Sequence, residues 1–204
     1  MAAKRRKIQN APTPTSSERP VTYQVKVKVF GVGGGGGNAI SRMASTLNQR
    51  AIELIAVNTD MQDLEKCVVR KRIHVGKNLT RGLGTGMNPE LGRQAAEENR
   101  SEIVEAMKGA DLVFITAGLG GGTGSGAAPV VAEIAKENGA LTVAIVTKPF
   151  TFEGTQRSRI AEEALMRLRE RVDALIVVPN DRVFNVIKKE TPLVKKKKKI
   201  DEIL

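Results

Sequence analysis

The sequence predicts an α/β fold: a doubly wound, mostly parallel sheet with helices on both faces. Short apolar runs rich in Val, Ile and Leu alternate along the chain with amphipathic stretches of helical period. Several of those runs are apolar at nearly every position, as strands buried on both sides must be. Two glycine-rich segments, Gly31–Gly37 and Gly118–Gly126, each stand between such a run and a helical stretch.

The first strand is read over Val25–Phe30 (VKVKVF), followed by a loop through Gly31–Gly37. A helix is expected over Asn38–Leu47, because Ile40, Met43, Ala44 and Leu47 share one face. Glu53–Val57 is a second strand, running into the polar Asn58-Thr59-Asp60, and Arg72–Val75 is a short third one. A Gly/Asn-rich loop spans Gly76–Pro89. Pro89 suits the first turn of a helix that reaches Lys108 with a break. Leu112–Ala117 is a wholly apolar strand, and the helix after it runs to about Asn138, with Gly139 as its C-cap. A strand Leu141–Thr147, a helix Gln156–Glu170, a strand Ala174–Val178 and a helix Asp181–Lys188 complete the series. Residues 1–22 read as a disordered basic tail, 23–194 as one α/β domain, and 195–204 as the truncated start of a further helix.

Composition narrows the function classes. With no Trp, one Tyr and five Phe in 204 residues, the core must be aliphatic. Cys67 is the single cysteine, so no internal disulfide forms, and a reducing compartment is expected. Neither Cys67 nor the lone His74 stands in a metal-ligand or nucleophile spacing, and both read as structural. The net charge of +11 is concentrated at the ends, in Lys4–Lys7 and Lys195–Lys199. The body is near neutral and lacks a basic stripe with interleaved aromatics, so no nucleic-acid partner is expected. No apolar stretch approaches the roughly 18 residues of a membrane span, and the first twenty residues carry no apolar signal core. The expected location is cytoplasmic.

In a parallel doubly wound sheet, ligands bind at the carboxyl ends of the strands. Both glycine segments fall at that end, with Asn58–Asp60, Gly82–Gly86, Pro149–Gly154 and Asn180. A glycine-rich turn before a helix lets backbone amides approach a phosphate, and the helix N-terminus adds partial positive charge. Two such turns suggest a polyphosphate held from two sides. Neither is followed by the lysine-hydroxyl pair of a P-loop. Gly31-Val32-Gly33-Gly34-Gly35-Gly36 satisfies the dinucleotide fingerprint literally, which keeps an NAD(P)-binding oxidoreductase domain as the alternative. That fingerprint wants an acid at the end of the second strand, where Asn58 stands, with Asp60 later than expected.

GGGTGSG (Gly120–Gly126) resembles the signature of the tubulin/FtsZ GTPase family. GVGGGGGNAISRM, AVNTD, TRGLGTGMNPELG, TKPFTFEG and VVPNDR, in their order around it, extend the resemblance over roughly Val25–Leu193. The resemblance implies a cytoskeletal GTPase domain that binds GTP or GDP with Mg²⁺ and assembles head to tail into protofilaments for cell division. It implies that Gly34, Gly35, Gly36, Gly37 and Asn38 hold phosphates together with Gly120, Gly121, Gly122, Thr123, Gly124 and Ser125. Thr123 would lie nearest the terminal phosphate, and Thr85 and Gly86 would sit in the loop that senses it. Glu153 and Arg157 would contact the ribose region, with Asn58 nearby. Asn180 would bond the guanine, and Asp201 would accept from guanine N1 and N2 hydrogens.

The sequence departs from the family pattern in two places. Thr191-Pro192-Leu193 is followed by Val194 and Lys195–Lys199, and Lys197 stands where the family carries a base-stacking aromatic. A lysine stem has no π-face, so weaker guanine binding is expected. The sequence also stops at Leu204, ahead of the family's catalytic loop and second domain. No catalytic residue is therefore assigned, and the chain alone is expected to bind GTP with little hydrolysis. Turnover is expected to be completed by an intact family subunit docked on the nucleotide face. Asn58, Asp60 and Asp63 match the N-x-D-x-x-D pattern of that loop, but in the wrong context. Asp60 is instead expected on the nucleotide or metal side, and the metal ligands are left unassigned.

Overall fold

The computed structural model describes residues 24–47 and 52–182. The expectations placed on residues 1–22, on Asp201 and on Lys195–Lys199 lie outside them, as does most of the helix expected over Asp181–Lys188. Six strands form one sheet: β1 (Val27–Val32), β2 (Ile52–Asn58), β3 (Lys71–His74), β4 (Leu112–Gly118), β5 (Leu141–Lys148) and β6 (Ala174–Pro179). Their order is β3-β2-β1-β4-β5-β6, and every neighbouring pair is parallel. Val27 faces Ile52 on one side and Leu112 on the other, so β1 is the central strand. The order reverses between β1 and β4, which opens a crevice at their carboxyl ends.

Helices α1 (Gly33–Thr46) and α2 (Met61–Lys66) cover one face, over a core of Val29, Ile40, Leu54, Ala56, Leu64 and Val69. Cys67 is buried in that core. A short α3 (Lys77–Thr80) leads to α4 (Pro89–Glu98), α5 (Arg100–Met107), α6 (Gly122–Glu137) and α7 (Thr155–Arg169). Residues of α4 to α7 pack into the larger core around Phe30, Ile55, Ile115, Ile134 and Leu168. That core is almost wholly aliphatic, as the aromatic-poor composition requires.

Local chemistry accounts for the boundaries. Asp60 caps α2 by accepting from Asp63 N–H, and Asn88 caps α4 by accepting from Leu91 N–H, with Pro89 in its first turn. The expected break before Lys108 falls at Asn99. Its Oδ1 accepts from Gly76 N–H and its Nδ2 donates to Glu102, so the side chain closes the joint between α4 and α5. Lys28, the one charge buried in β1, donates from Nζ to the carbonyls of Ala106 and Lys108 at the end of α5. It also pairs with Glu53 at 3.1 Å, and Glu53 pairs with Lys71 at 3.2 Å. Burial alone would raise the Glu53 carboxyl, but the hydrogen bonds from Lys28 and Lys71 outweigh it and hold the group below its ordinary value.

The glycine run corrects one expectation. Gly31 and Val32 complete β1, and α1 begins at Gly33, so Gly31–Gly37 is not a loop. Glycine disfavours helix by about 1 kcal/mol per residue, but here the bare backbone permits a contact nothing else could make. A Cβ on Gly36 would overlap the Thr116 carbonyl of β4, and one on Gly31 would lie 2.5 Å from the Gly36 carbonyl oxygen. The first turns of α1 therefore rest directly on the sheet. α6 likewise takes in most of its glycine segment from Gly122 onward. Its Gly126 abuts Pro89 of α4, while Gly92 of α4 abuts Gly122. α2 carries no sequence expectation, and α3 corrects part of the loop expected over Gly76–Pro89; both are too brief to show a period.

Gly126→Ala should be severely destabilising, because its methyl group would enter the Pro89 carbonyl, which is backbone and cannot rotate away. A loss of at least about 2 kcal/mol is expected by chemical denaturation. A parent-like midpoint would show that α4 and α6 are not in backbone contact.

Candidate functional site

At the carboxyl ends of the strands lies a cleft of about 580 Å³. Gly34, Gly35 and Asn38 of α1 form one wall, and Gly121–Gly124 at the start of α6 form the facing one. Leu83–Gly86 close it on the β3 side, with Asn58, Asp60 and Asp63 beneath. Thr147, Pro149, Phe150, Glu153, Arg157 and Asn180 line the far end.

The two walls share a property that α2 and α4 lack. Neither α1 nor α6 has a side-chain cap, and neither has an acidic residue in its first turn. They are 14 and 16 residues long, so each carries a full helix dipole with first-turn N–H groups at the cleft. Where α2 and α4 use Asp60 and Asn88 as acceptors, α1 and α6 have no side-chain acceptor, and apart from Gly122 N–H, which Gly86 accepts, their first turns are left to whatever enters. An anion is the chemistry such a pair of ends accepts. Among the described residues no Lys lines the cleft, and the one cation that does, Arg157, pairs with Glu153 at 3.1 Å. Glu153 also accepts from Phe150 N–H at 3.0 Å, which fixes both side chains in place.

Hydroxyls and amides complete the lining. Thr123 Oγ1 lies 2.9 Å from Thr85 Oγ1, joining α6 to the loop Leu83–Gly86. Gly86 accepts from Gly122 N–H at 2.8 Å, a second tie between the same two pieces. Asn58 Oδ1 accepts from the N–H groups of Thr59 and Asp60, shaping the turn after β2. Asp181 accepts from the Thr151 N–H and hydroxyl, drawing the loop after β5 to the end of β6. Asn180 Oδ1 is buried without a partner among the described residues. Such an atom costs free energy unless a ligand donates to it.

Of the residues singled out from sequence, Gly34, Gly35, Asn38, Asn58, Thr85, Gly86, Gly121, Gly122, Thr123, Gly124, Glu153, Arg157 and Asn180 line the cleft together. Gly36, Gly37, Gly120 and Ser125 stand behind its wall. Ser125 is fully buried and its hydroxyl accepts from Gly120 N–H at 2.9 Å, so these two hold each other. Asp63, Gly84, Gly118, Thr147, Pro149 and Phe150 also line the cleft but carry no sequence assignment. Most of them fall in or beside the quoted glycine and TKPFTFEG segments. Among the described residues no group of three or more His, Cys, Asp or Glu could hold a metal ion. The lining oxygens of Asp60, Asp63, Thr85 and Thr123 suit a hard cation that arrives with phosphates, since Mg²⁺ needs no all-protein cage.

A model of the Tubulin/FtsZ family GTPase domain matches residues 26–188. The chain belongs to the Tubulin/FtsZ family. Among solved structures, it is similar to an empty FtsZ dimer from M. jannaschii, at 46% identity and a TM-score of 0.85. That match covers 90% of this chain and 53% of the relative. The W319Y mutant of FtsZ from M. jannaschii matches at 47% identity and a TM-score of 0.84, over 88% of this chain and 54% of that one. CetZ2 from Haloferax volcanii, solved as a GTPγS-bound protofilament, matches at 30% identity and a TM-score of 0.78, over 88% and 55%. The chain thus spans about half the length of these relatives and forms an FtsZ-like GTPase domain. The oxidoreductase alternative is not favoured. The β2 terminus offers it Asn58, whose side chain is engaged by the backbone, and an Asp60 that caps a helix.

Gly121→Ala separates site from scaffold. Nothing lies within 4 Å of a Cβ there, so stability should stay within about 0.5 kcal/mol of the parent. A large loss in thermal or chemical denaturation would mean that Gly121 is packed, not open.

Proposed function

We propose that this domain binds GTP and GDP with Mg²⁺ in the cleft and assembles head to tail with family subunits through the cleft face. The observation that carries the proposal is the pair of uncapped helix N-termini facing one crevice. Each is an anion seat, and two on one cleft suit a polyphosphate better than a single phosphate. Gly34, Gly35 and Asn38, with Gly121, Thr123 and Gly124, are the groups assigned to the phosphates. Thr85 and Gly86 face the terminal one. Glu153 and Arg157 are assigned to the ribose end. The unpartnered Asn180 Oδ1 is assigned to the base, where it would accept from a ring or exocyclic N–H. Mg²⁺ would arrive on the phosphates and supply charge neutralisation, with Asp60 and Asp63 as the nearest carboxylates.

Hydrolysis needs an ordered water and a group to orient it. Each carboxylate of the described lining is already engaged. Asp60 caps α2, Asp63 pairs with Lys66, and Glu153 binds Phe150 N–H and Arg157. By the family resemblance, the water-orienting group is assigned to a docked neighbour. Leu83, 82% exposed at the cleft rim beside exposed Met61 and Met87, gives that neighbour an apolar seat. CetZ2, solved as a GTPγS-bound protofilament, supports assembly with family subunits here. Cytoplasmic placement at a division site follows from this reading. Among the described residues, no helix is long and apolar enough to cross a membrane.

Calorimetric titration with GTP, GDP and ATP, with and without Mg²⁺, tests the assignment. GTP and GDP should bind one to one, with ATP weaker by at least about tenfold because its base edge offers a different donor pattern. Equal affinity for ATP, or no heat from GTP, would overturn it.

A further inference from the structure

Behind the cleft wall, Thr59 is fully buried, and its hydroxyl lies 2.6 Å from Thr123 Oγ1. Thr123 Oγ1 in turn lies 2.9 Å from Thr85 Oγ1. Three hydroxyls from β2's end, α6 and the Leu83–Gly86 loop thus form one row, with only Thr123 and Thr85 on the cleft. Thr59 is held rigidly at the inner end. Its N–H donates to Asn58 Oδ1, and its carbonyl accepts from the Thr80 hydroxyl at 3.2 Å and His74 Nε2 at 3.3 Å.

The direction of the row follows from counting donors. Each threonine hydroxyl has one hydrogen to give and two lone pairs to accept with. Thr59 Oγ1 has no second partner among the described residues and no solvent, so it donates to Thr123. The opposite polarity would bury its hydrogen unsatisfied. If Thr85 also donates to Thr123, the Thr123 hydrogen turns to the cleft. If Thr123 donates to Thr85, the Thr85 hydrogen does. Either way the row delivers one hydrogen to the cleft, and donation from a short buried bond strengthens the donor beyond it.

We propose that Thr59 is a positioning residue for the terminal phosphate: by donating to Thr123 it fixes and polarises a hydroxyl relay through Thr123 and Thr85, whose free hydrogen donates to that phosphate. The inference rests on the nucleotide reading of the cleft and adds to it a residue that touches no ligand. A purely structural Thr59 would hold the turn after β2 and affect all nucleotides alike. A relay discriminates by phosphate number.

The test measures GTP and GDP affinities of the full chain and of Thr59→Val, Thr59→Ser, Thr85→Val and the Thr59→Val/Thr85→Val pair, with far-ultraviolet circular dichroism as a fold control. Thr59→Val should weaken GTP about fivefold and GDP less than twofold, the worth of one buried neutral hydrogen bond that orients and polarises the donor. Thr59→Ser should recover most of the GTP affinity. The double variant should be no worse than its weaker parent, because both changes interrupt one row. Equal losses for GTP and GDP, an unchanged GTP affinity in Thr59→Val, or failure of Thr59→Ser to recover would overturn the relay. Should Thr59→Val not fold, Thr59→Ala decides by the same GTP-against-GDP ratio. A parent chain that binds neither nucleotide would overturn the nucleotide reading and the relay with it. A parent that binds both, with variants that match it, would overturn the relay only.

Discussion

Backbone lies on backbone at the centre of this domain, and most of the architecture depends on it. α1 meets β4 where Gly36 faces the Thr116 carbonyl, and α6 meets α4 where Gly126 faces Pro89 and Gly92 faces Gly122. Side chains at these points would push the helices outward and part their first turns from the crevice between β1 and β4. Close approach therefore does two things together. It seals the aliphatic core beneath the sheet's switch point, and it brings two helix N-termini to opposite walls of one cleft.

The glycines divide accordingly. Gly36, Gly92 and Gly126 face protein atoms, and their bareness serves packing. Gly86 and Gly121 face open space, with nothing within 4 Å of a Cβ, and their bareness serves the cleft. A glycine-rich turn therefore need not be either a tight joint or a phosphate seat. This domain interleaves the two roles residue by residue, and Gly120 with Ser125 adds a third, in which the loop binds itself.

Most strands and the place of the cleft were legible in the sequence because both rest on local signals: apolar runs for β1, β2 and β4 to β6, and glycine segments at strand ends. A break in the helix from Pro89 to Lys108 was expected, but not its place at Asn99. The start of α1 was not, since glycine's weak helix propensity argues for a loop and only the contact with β4 overrides it. The short α2 is marked by a single Asp60 cap, too little to stand out. Thr59 was invisible, because its meaning comes from Thr123, 64 residues away, and from burial that no local pattern reports. Ser125 was read as facing a ligand because it lies in the signature, whereas helical geometry turns it inward.

The central claim is that the first-turn amides of α1 and α6 are the anion seat. Amide-resolved hydrogen exchange with and without GTP and Mg²⁺ tests it most directly. The account predicts slowed exchange concentrated at Gly34, Gly35, Gly121, Thr123 and Gly124, with little change at the capped start of α4. Exchange at those five amides that does not respond to saturating GTP, or protection confined to other parts of the sheet, would contradict it.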